Sequence, residues 1–292
     1  MVVSGVLCAS ALRELPDGLV HIDFLDVGQG DAILIVTPSG NRILVDAGPK
    51  SNVIEPLRRG SGLMRDDIDL VLITHFDSDH CEGLLAVLDQ FHVGQIMITG
   101  VEQGSSLQSA LLKKIHDKGV PVWIGWRATD LQLDTDVVMD LLWPWTSMAG
   151  MHVADANDTS IVFRLMVAGR SVLLATGDAG FAVEDGLVEK MGGEVGATKI
   201  LHSDMLKIGH HGSRFSSGLK FLQAVGAKWD IISVGAKNKY GHPTEETLGR
   251  LREVNAVTGG KILMTKDSGT IEVVVDSGSG EVEKVLNTSP SF

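Results

Sequence analysis

The chain has 292 residues, of which 44% are hydrophobic and 21% are charged, and it contains two cysteines. This composition is ordinary for a globular protein, so it excludes a disordered or collagen-like chain, a disulfide framework and a cysteine-rich zinc fold. The formal net charge of −12 repels nucleic acid unless the charge is unevenly placed. Residues 199–252 have nine basic and four acidic side chains, which indicates either a basic binding face or a chance cluster of surface lysines.

Residues 1–12 form an apolar segment that stops at Arg13. It is shorter than the roughly 20 residues that span a bilayer, and it lacks the basic start of a signal peptide. Two interpretations remain open, the end of a membrane helix of a longer protein and an ordinary first strand or helix. We divide the chain into a leader at residues 1–19, one domain at 20–276 and a flexible Gly/Ser-rich tail at 277–292. We expect this chain to be a soluble monomer.

In the first half, β-rich runs alternate with amphipathic segments. A Thr-Pro-Ser-Gly turn at residues 37–40 predicts a hairpin, so the chain opens with an antiparallel meander. The apolar run at 69–74 predicts a strand that is buried on both faces. The predicted elements are strands at 21–25, 32–36, 42–45, 69–74, 95–99 and 120–124, and helices at 82–91 and 105–118.

The second half repeats this organisation, with turns at residues 168–170 and 266–269 that predict two hairpins. Pro243 is predicted at the first position of a helix. The predicted strands lie at 137–142, 159–167, 171–176, 205–208, 230–234, 261–265 and 270–275, and the helices at 181–191, 218–225 and 243–254. Two mixed sheets packed face to face, with helices on both outer faces, would bury these runs. We therefore predict an α/β fold, a single-domain αββα four-layer sandwich.

Residues 75–80 read His-Phe-Asp-Ser-Asp-His and lie between a predicted buried strand and a predicted helix. Four side chains that bind metals therefore share one short loop at the carboxyl end of a strand. We expect His75 and Asp77 to face one cation, and Asp79 and His80 to face a second. A plain polar turn with an aspartate N-cap explains one carboxylate but neither histidine.

Asp178 ends a Thr-Gly-Asp segment that follows an apolar strand, and Gly177 permits the tight turn. Two neighbouring cations need a bridging carboxylate, because a shared anion screens their repulsion. Asp178 is the candidate for this role, and the alternative is an N-cap for the helix at 181–191.

The Gly-His-His-Gly segment at 209–212 again follows a short strand. Adjacent side chains diverge, so one histidine is expected to bind metal while the other lies behind it or meets substrate. Because the strand ends just before His210, we predict His210 as the ligand and His211 as a catalytic candidate. The alternative is a pair of ordinary surface histidines.

His242 precedes Pro243, so we expect it near a helix N-terminus, where backbone N–H groups attract anions. It is a candidate catalytic residue, together with Asp79, for contacting a phosphate or protonating a leaving oxygen. The alternative is an ordinary N-cap region. Candidate substrate contacts from the basic segment are Lys207, Ser213, Arg214 and Lys239.

The segment 75–80 resembles the metal-binding signature of the metallo-β-lactamase superfamily, and Asp46 matches the superfamily's supporting aspartate. The closer resemblance is to the C-terminal metallo-β-lactamase-like domain of the ComEC competence family. It extends from about residue 21 to about residue 275. Its segments, in family order, are Phe-Leu-Asp-Val-Gly-Gln-Gly-Asp-Ala at 24–32, Asn-Asp-Thr-Ser at 157–160, Thr-Gly-Asp at 176–178, His-His-Gly-Ser at 210–213 and Gly-His-Pro at 241–243.

Full-length members of that family are multi-pass DNA-uptake channels of the bacterial inner membrane, and their C-terminal domain is proposed to degrade the strand that is not imported. The resemblance therefore implies an extracytoplasmic domain that acts on DNA, preferably single-stranded, beside the rest of a channel. It implies no small-molecule cofactor. By position it implies active-site His242 and a metal site made of His75, Asp77, Asp79, His80, Asp178 and His210 or His211.

The sequence departs from the superfamily pattern at two positions. β-Lactamases have histidine where Asp77 stands, and a carboxylate is a harder ligand, so Mn²⁺ is favoured and Zn²⁺ is possible. The histidine that precedes the Asp178 strand in the superfamily has no clear counterpart here. Asn157 takes the aligned place, as a weak ligand or a substrate contact, and His152 lies five residues earlier. Cys81 is expected to be buried.

Three functions are consistent with these residues. The first is a metal-dependent nuclease in which one or two cations activate water for phosphodiester hydrolysis. The second is a metallohydrolase of a small phosphodiester or thioester, since aromatic residues that would stack on bases are only 5% of the chain. The third is a non-catalytic DNA-binding domain. We favour the nuclease.

Overall fold

The computed structural model describes residues 16–61, 65–153, 155–192 and 201–288. The apolar segment 1–12 and residues 289–292 of the predicted tail lie outside the described residues. Within these ranges, no helix combines the length and the apolar character that a membrane crossing requires.

Two mixed sheets make up the centre of the described ranges. The first sheet contains β1 (Leu19–Phe24), β2 (Ile33–Val36), β3 (Arg42–Val45), β4 (Asp67–Leu72), β5 (His92–Ile98), β6 (Val122–Ile124), β14 (Ile271–Asp276) and β15 (Val282–Asn287), in the order β15-β14-β1-β2-β3-β4-β5-β6. The second contains β7 (Leu131–Asp134), β8 (Val137–Trp143), β9 (Val162–Val167), β10 (Arg170–Ala175), β11 (Met205–Lys207), β12 (Trp229–Ile232) and β13 (Lys261–Met264), in the order β13-β12-β11-β10-β9-β8-β7.

The helices cover the outer faces of both sheets. They are α1 (Ile54–Ser61), α2 (Ser78–Cys81), α3 (Leu84–Gln90), α4 (Ser106–Lys118), α5 (Phe181–Gly192), α6 (Leu219–Val225), α7 (Glu245–Thr258) and α8 (Thr265–Ser268), with 3₁₀ turns at Asn157–Thr159 and Gly209–Gly212. Strands β1 to β3 form the predicted antiparallel meander, and β3 to β6 run parallel. Strands β7 to β10 are antiparallel, and β10 to β13 are parallel.

Three apolar clusters define the layers. The central one packs the inner faces of the two sheets together, with Phe24 and Leu72 on one side and Met139 and Phe163 on the other. A second cluster joins the first sheet to α1, α3 and α4, and a third joins the second sheet to α5, α6 and α7. The predicted αββα sandwich is therefore confirmed.

The C-terminal predictions require three corrections. β13 and β14 do not form a hairpin, because β13 pairs with β12 in the second sheet and β14 pairs with β1 in the first. Part of the predicted flexible tail is structured, since β15 pairs with β14. Val282 and Val285 of β15 pack on the central core. Helix α7 begins at Glu245 with Thr244 as its N-cap, so Pro243 is not a helical residue.

The elements missed by the sequence analysis are short. Helix α1 has eight residues and contains Pro56 and Gly60, which weaken a helical pattern. β7 has four residues, of which only alternate ones are apolar. The predicted strand at 159–167 begins later, because residues 157–159 form a 3₁₀ turn.

Asp230 on β12 is a buried carboxylate whose Oδ2 accepts a hydrogen bond from Asn255 Nδ2 at 2.8 Å. Burial raises the pKa of Asp230 from 3.8 to about 6. The native state therefore holds the Asp230 proton more tightly than the unfolded chain does. The resulting contribution to the free energy of unfolding is complete below pH 3.8, the unfolded pKa, and is lost as pH rises through about 6. In Asp230→Asn this dependence is absent.

We expect the free energy of unfolding of the wild type to fall relative to Asp230→Asn by on the order of 2 kcal/mol between about pH 4 and about pH 7.5. Urea unfolding of both proteins across this range measures the difference. A difference that stays constant with pH would contradict the prediction.

Candidate metal centre

The site lies where parallel strands of both sheets end. One loop follows β4 in the first sheet, and two loops follow β10 and β11 in the second. A backbone hydrogen bond from His210 N to Gly177 O joins the two loops of the second sheet, and one from Ile161 N, just before β9, to Thr74 O links the second sheet to the loop after β4, each 3.1 Å long. Side chains that are separated by more than a hundred residues therefore meet at one edge of the sandwich.

The loop after β4 supplies His75 and Asp77, and the short helix α2 supplies Asp79 and His80. Both histidines are fully buried, and their ring centroids are 4.2 Å apart. Asp77 occupies the N-cap position of α2, and its Oδ2 lies 3.8 Å from His75 Nε2. The predicted four-residue cluster is thus assembled locally.

Asp178 lies at the centre of the group. Its Oδ1 is 3.1 Å from His80 Nε2, and its Oδ2 is 3.7 Å from His211 Nε2 and 4.0 Å from His75 Nε2. Gly177 has a φ of +51°, and a Cβ there would come within 2.9 Å of the Ser160 side chain. Glycine is therefore required for the turn that carries Asp178 inward.

His210 and His211 are consecutive residues in the left-handed region, with φ values of 50° and 53°. This conformation costs of order 1–3 kcal/mol at each residue and is characteristic of functional sites. It directs the two rings differently. His211 is buried, with Nε2 3.3 Å from Asp79 Oδ2, whereas the His210 side chain is 28% exposed, with Nε2 3.6 Å from Asp178 Oδ2.

Two buried aspartates hold the inner histidines from behind. Asp46 Oδ2 lies 2.8 Å from His80 Nδ1, and Asp46 also accepts hydrogen bonds from the backbone and the hydroxyl of Thr74. His211 Nδ1 makes a hydrogen bond of 3.0 Å with the Ser233 carbonyl oxygen, and Asp31 Oδ1 lies 3.2 Å from the same nitrogen. A carboxylate behind a histidine places the proton on Nδ1 and directs Nε2 toward the centre.

Lys207 is fully buried, and its Nζ lies 2.7 Å from Asp31 Oδ2 and donates to the Ile208 carbonyl. The prediction that Lys207 contacts substrate is therefore corrected, because its charge is neutralised inside the protein. Asp31 was not among the predicted site residues. The only local signal in the sequence is the glycine before it, Gly30. In the structure Gly30 has a φ of +139°, and a Cβ there would lie 2.2 Å from the Asp79 carbonyl oxygen.

The donor atoms fit a divalent cation. His75 Nε2, His80 Nε2, His211 Nε2 and Asp178 Oδ1 are buried and make no well-aligned hydrogen bond among the described residues, although His80 Nε2 is 3.1 Å from Asp178 Oδ1 and His211 Nε2 is 3.3 Å from Asp79 Oδ2. One ligand atom from each of Asp31, His80, Asp178 and His211 lies within 4.8 Å of the others. Imidazole nitrogens and carboxylate oxygens that converge in this way are a transition-metal donor set. Asp31 Oδ2 is paired with Lys207, and Asp31 Oδ1 is buried beside His211 without a hydrogen-bond partner among the described residues.

The electrostatics of the centre favour positive charge. Burial by itself lowers the pKa values of His80 and His211. For His80, the charges of Asp178 and Asp46 outweigh burial and raise the pKa well above its usual value. For His211, the charges of Asp178 and Asp31 raise the pKa to about 9. Burial likewise raises the pKa of Asp178, yet the charges of His80 and His211 hold it well below its usual value. His75 differs, because burial and the His80 charge lower its pKa to about 4.

Four other predicted site residues lie on neighbouring loops. The His242 ring is 5.6 Å from the His210 ring, and its Nδ1 has no partner in the described structure. Asn157 is in the 3₁₀ turn that leads to Ser160, whose hydroxyl is 3.3 Å from His75 Nδ1. Arg214 and Lys239 are exposed, and Arg214 lies 3.9 Å from Glu246.

Ser213, His152 and Cys81 are not placed to contact a ligand at the metal centre. Ser213 is buried, and its hydroxyl accepts a hydrogen bond from Phe215 N at 3.4 Å. His152 is outside the group, since its side chain is 82% exposed and pairs with Glu102. Cys81 is buried as expected, and burial raises its pKa to about 12, so it is a packed thiol.

Comparison with known proteins agrees with this geometry. The family model of the metallo-beta-lactamase superfamily matches residues 25–236, a range that contains all three metal-centre loops. The chain belongs to the metallo-β-lactamase superfamily. Members of this superfamily are metallohydrolases, and the buried donor cluster supports a divalent metal in this one.

The superfamily relatives include competence proteins. Competence protein ComA of Neisseria gonorrhoeae is 30% identical over 276 residues, covering 94% of this chain and 35% of ComA. ComE operon protein 3 of Bacillus subtilis (strain 168) is 28% identical over 300 residues, covering 93% of this chain and 36% of that protein. The predicted resemblance to competence proteins is confirmed, and the chain spans about a third of the length of these relatives.

Solved structures with the same fold include two that align over most of this chain. The metallo-β-lactamase fold protein YhfI from Bacillus subtilis aligns with a TM-score of 0.51 at 10% identity, over 86% of this chain and 98% of YhfI. The E377D mutant of the β-hydroxylase CmlA aligns with a TM-score of 0.55 at 12% identity, over 87% of this chain and 53% of CmlA. At these identities the likeness concerns the fold alone.

Proposed function

We propose that this domain is a divalent-metal-dependent nuclease that hydrolyses phosphodiester bonds of DNA, with single strands preferred. The observation that carries the proposal is the convergence of three buried imidazole Nε2 atoms on the Asp178 carboxylate. A bound divalent cation stabilises the charge on a phosphate and lowers the pKa of a water molecule. The competence proteins among the relatives support a role in DNA uptake.

The proposed ligands fall into two groups around Asp178. One group is His75 with Asp77, and the other is Asp79, His80 and His211. We assign His211 rather than His210 to the ligands, because His211 Nε2 is buried while His210 is partly exposed. The first group is sparser, since Asn157 supplies at most an amide oxygen. The carboxylates beside the imidazoles favour Mn²⁺, with Zn²⁺ as the alternative.

The chain's own residues have three further tasks. Asp79 is 25% exposed and is positioned to take a proton at its carboxylate. His210 and His242 form a pair of rings at the entrance, where a ring N–H donates to a phosphate oxygen. Arg214 and Lys239 supply positive charge at the rim, which offsets the repulsion between DNA and an acidic protein.

In a full-length protein, this domain is proposed to lie beside a DNA-uptake channel on the extracytoplasmic side of the bacterial inner membrane. The support is the match to about a third of the competence proteins' length. In that position a nuclease would meet DNA before it enters the channel.

Metal titration tests the proposal. The protein is stripped with a chelator, and Mn²⁺, Zn²⁺ or Mg²⁺ is added back with a labelled single strand, the corresponding duplex and bis(p-nitrophenyl) phosphate as substrates. We expect no cleavage by the stripped protein, the highest activity with Mn²⁺, and faster cleavage of the single strand than of the duplex. Elemental analysis of the reloaded protein gives the number of cations.

Cleavage that persists in the chelated protein would contradict the proposal. Hydrolysis of the small diester without cleavage of DNA would indicate a metallohydrolase of a small substrate. DNA binding without any hydrolysis would indicate a non-catalytic domain.

A further inference from the structure

Two aromatic side chains are exposed on loops that border the metal centre. Phe215 lies four residues after His211 and is 66% exposed, and Tyr240 lies two residues before His242 and is 55% exposed. A single exposed aromatic ring is common on protein surfaces, so what distinguishes these two rings is their position beside the centre and their neighbours.

The loops that carry these rings are joined beside the centre. Thr244 N donates to Gly212 O at 2.9 Å, and the His210 and His242 rings are 5.6 Å apart. Tyr240 stacks on His242 with centroids 5.7 Å apart and an interplanar angle of 24°. Because His210 Nε2 is 3.6 Å from Asp178 Oδ2, Tyr240 is linked to the centre through two ring contacts.

Phe215 is presented by a braced loop. The Arg250 guanidinium donates to the carbonyl oxygens of Arg214, Ser216 and Ser217, at 3.2, 2.8 and 2.8 Å. The Ser216 hydroxyl donates to the Gly209 carbonyl at 2.7 Å, which ties the loop to the histidine turn. Since the backbone on both sides of Phe215 is held in this way, the outward position of its ring is built into the loop.

Each exposed ring has a cation over it. The Arg214 guanidinium lies over the Phe215 ring, 5.8 Å from its centroid, and Lys239 Nζ lies over the Tyr240 ring, 5.1 Å from its centroid. A base that stacks on either ring therefore has to displace this exposed side chain, which leaves the cation free to contact a phosphate. Aromatic rings that alternate with cations are the arrangement that binds single-stranded nucleic acid, because the cations track the phosphates while unpaired bases stack on the rings. In a duplex, the base faces are covered by neighbouring bases.

We propose that Phe215 and Tyr240 are specificity-determining residues that stack unpaired bases of a single strand beside the metal centre. This inference rests on the proposed nuclease function and names its substrate class. It assigns the preference for single strands to two aromatic side chains, rather than to the metal ions or to the overall charge of the protein.

The kinetic test compares two oligonucleotides with the same phosphates, an oligothymidylate and an abasic strand of equal length. With the Mn²⁺-loaded wild type, we expect the oligothymidylate to have the lower KM. Phe215→Ala and Tyr240→Ala are each expected to raise KM for the oligothymidylate by roughly tenfold, with little change for the abasic strand or for bis(p-nitrophenyl) phosphate. Tyr240→Phe is expected to keep the wild-type KM.

Trp123→Ala is the matched control. Trp123 is 56% exposed on β6, the edge strand of the first sheet. Its removal therefore deletes an exposed aromatic ring that belongs to neither of the two loops. We expect this variant to cleave every substrate as the wild type does.

A second readout does not depend on cleavage. The chain contains one tyrosine, so incorporation of 3-fluorotyrosine gives a single ¹⁹F resonance from Tyr240. In the metal-stripped protein, we expect this resonance to shift on addition of the oligothymidylate and to stay in place with the abasic strand.

The outcomes separate this inference from the proposed function. If the wild type cleaves neither strand, the nuclease proposal fails. If the wild type cleaves the oligothymidylate and both alanine variants keep its KM, the nuclease proposal stands and the stacking proposal is overturned. An unchanged ¹⁹F resonance at saturating oligothymidylate also overturns the stacking proposal.

Discussion

Asp178→Asn is expected to reduce hydrolysis of a labelled single strand by about a thousandfold or more. Asp178 Oδ1 faces His80, and Oδ2 faces His75 and His211, so within the described ranges this carboxylate joins the two proposed ligand groups. Asparagine keeps the shape but removes the charge and one oxygen donor. A loss of roughly 4 kcal/mol of transition-state stabilisation corresponds to a thousandfold decrease in rate.

Measurement of kcat/KM with the Mn²⁺-loaded protein is paired with elemental analysis after dialysis, where the variant is expected to retain less metal. Asp230→Asn is the matched control, because it makes the same change at a buried carboxylate on β12 outside the metal centre. The control is expected to keep its metal content and activity. An Asp178→Asn protein with full metal content and wild-type activity would remove Asp178 from the mechanism.

Asp31→Ala is expected to lower the free energy of unfolding by about 3–5 kcal/mol. The buried Lys207 ammonium lies 2.7 Å from Asp31 Oδ2, and its other contact is the Ile208 carbonyl at 3.0 Å. Removal of the carboxylate leaves a positive charge inside the protein without its counter-ion. Urea unfolding of the chelator-treated proteins measures the loss and separates it from any stabilisation by bound metal.

The double variant Asp31→Ala/Lys207→Met is the informative control. Methionine keeps most of the lysine stem but has no charge, so the double variant is expected to be more stable than Asp31→Ala alone. If the two changes add without interaction, the buried pair does not contribute as proposed. Arg252→Met, which removes a cation from an exposed pair with Glu245, is expected to change stability by less than about 1 kcal/mol.

The loop at residues 75–80 shows which features are readable from a sequence. Its ligand types, their spacing and the apolar strand before them are all local, so a few consecutive residues specify a metal-binding turn. The same holds for Asp178, where a buried strand and Gly177 precede the acid. Layer order was also predictable, because the hydrophobic pattern identifies which segments are strands and which are helices.

The roles of His210, His211 and Lys207 were not predictable in this way. The two histidines are distinguished by a pair of left-handed backbone conformations, which nothing in the Gly-His-His-Gly segment specifies. Lysine is nearly always exposed unless it is paired, and the partner of Lys207 is Asp31, which is remote in the chain. The false hairpin between β13 and β14 has the same origin, because a short turn does not reveal that the next strand joins the other sheet.

The amino-acid sequence by itself determined the α/β sandwich, the cluster of histidine and aspartate side chains after β4 and the similarity to competence proteins, since each depends on residues that are near one another in the chain. Tertiary structure alone decided which of His210 and His211 is buried, which lysine is buried and which aromatic rings are exposed on the loops beside the centre. Those outcomes depend on backbone dihedral angles and on contacts between distant segments, and such contacts form only when the two sheets pack together.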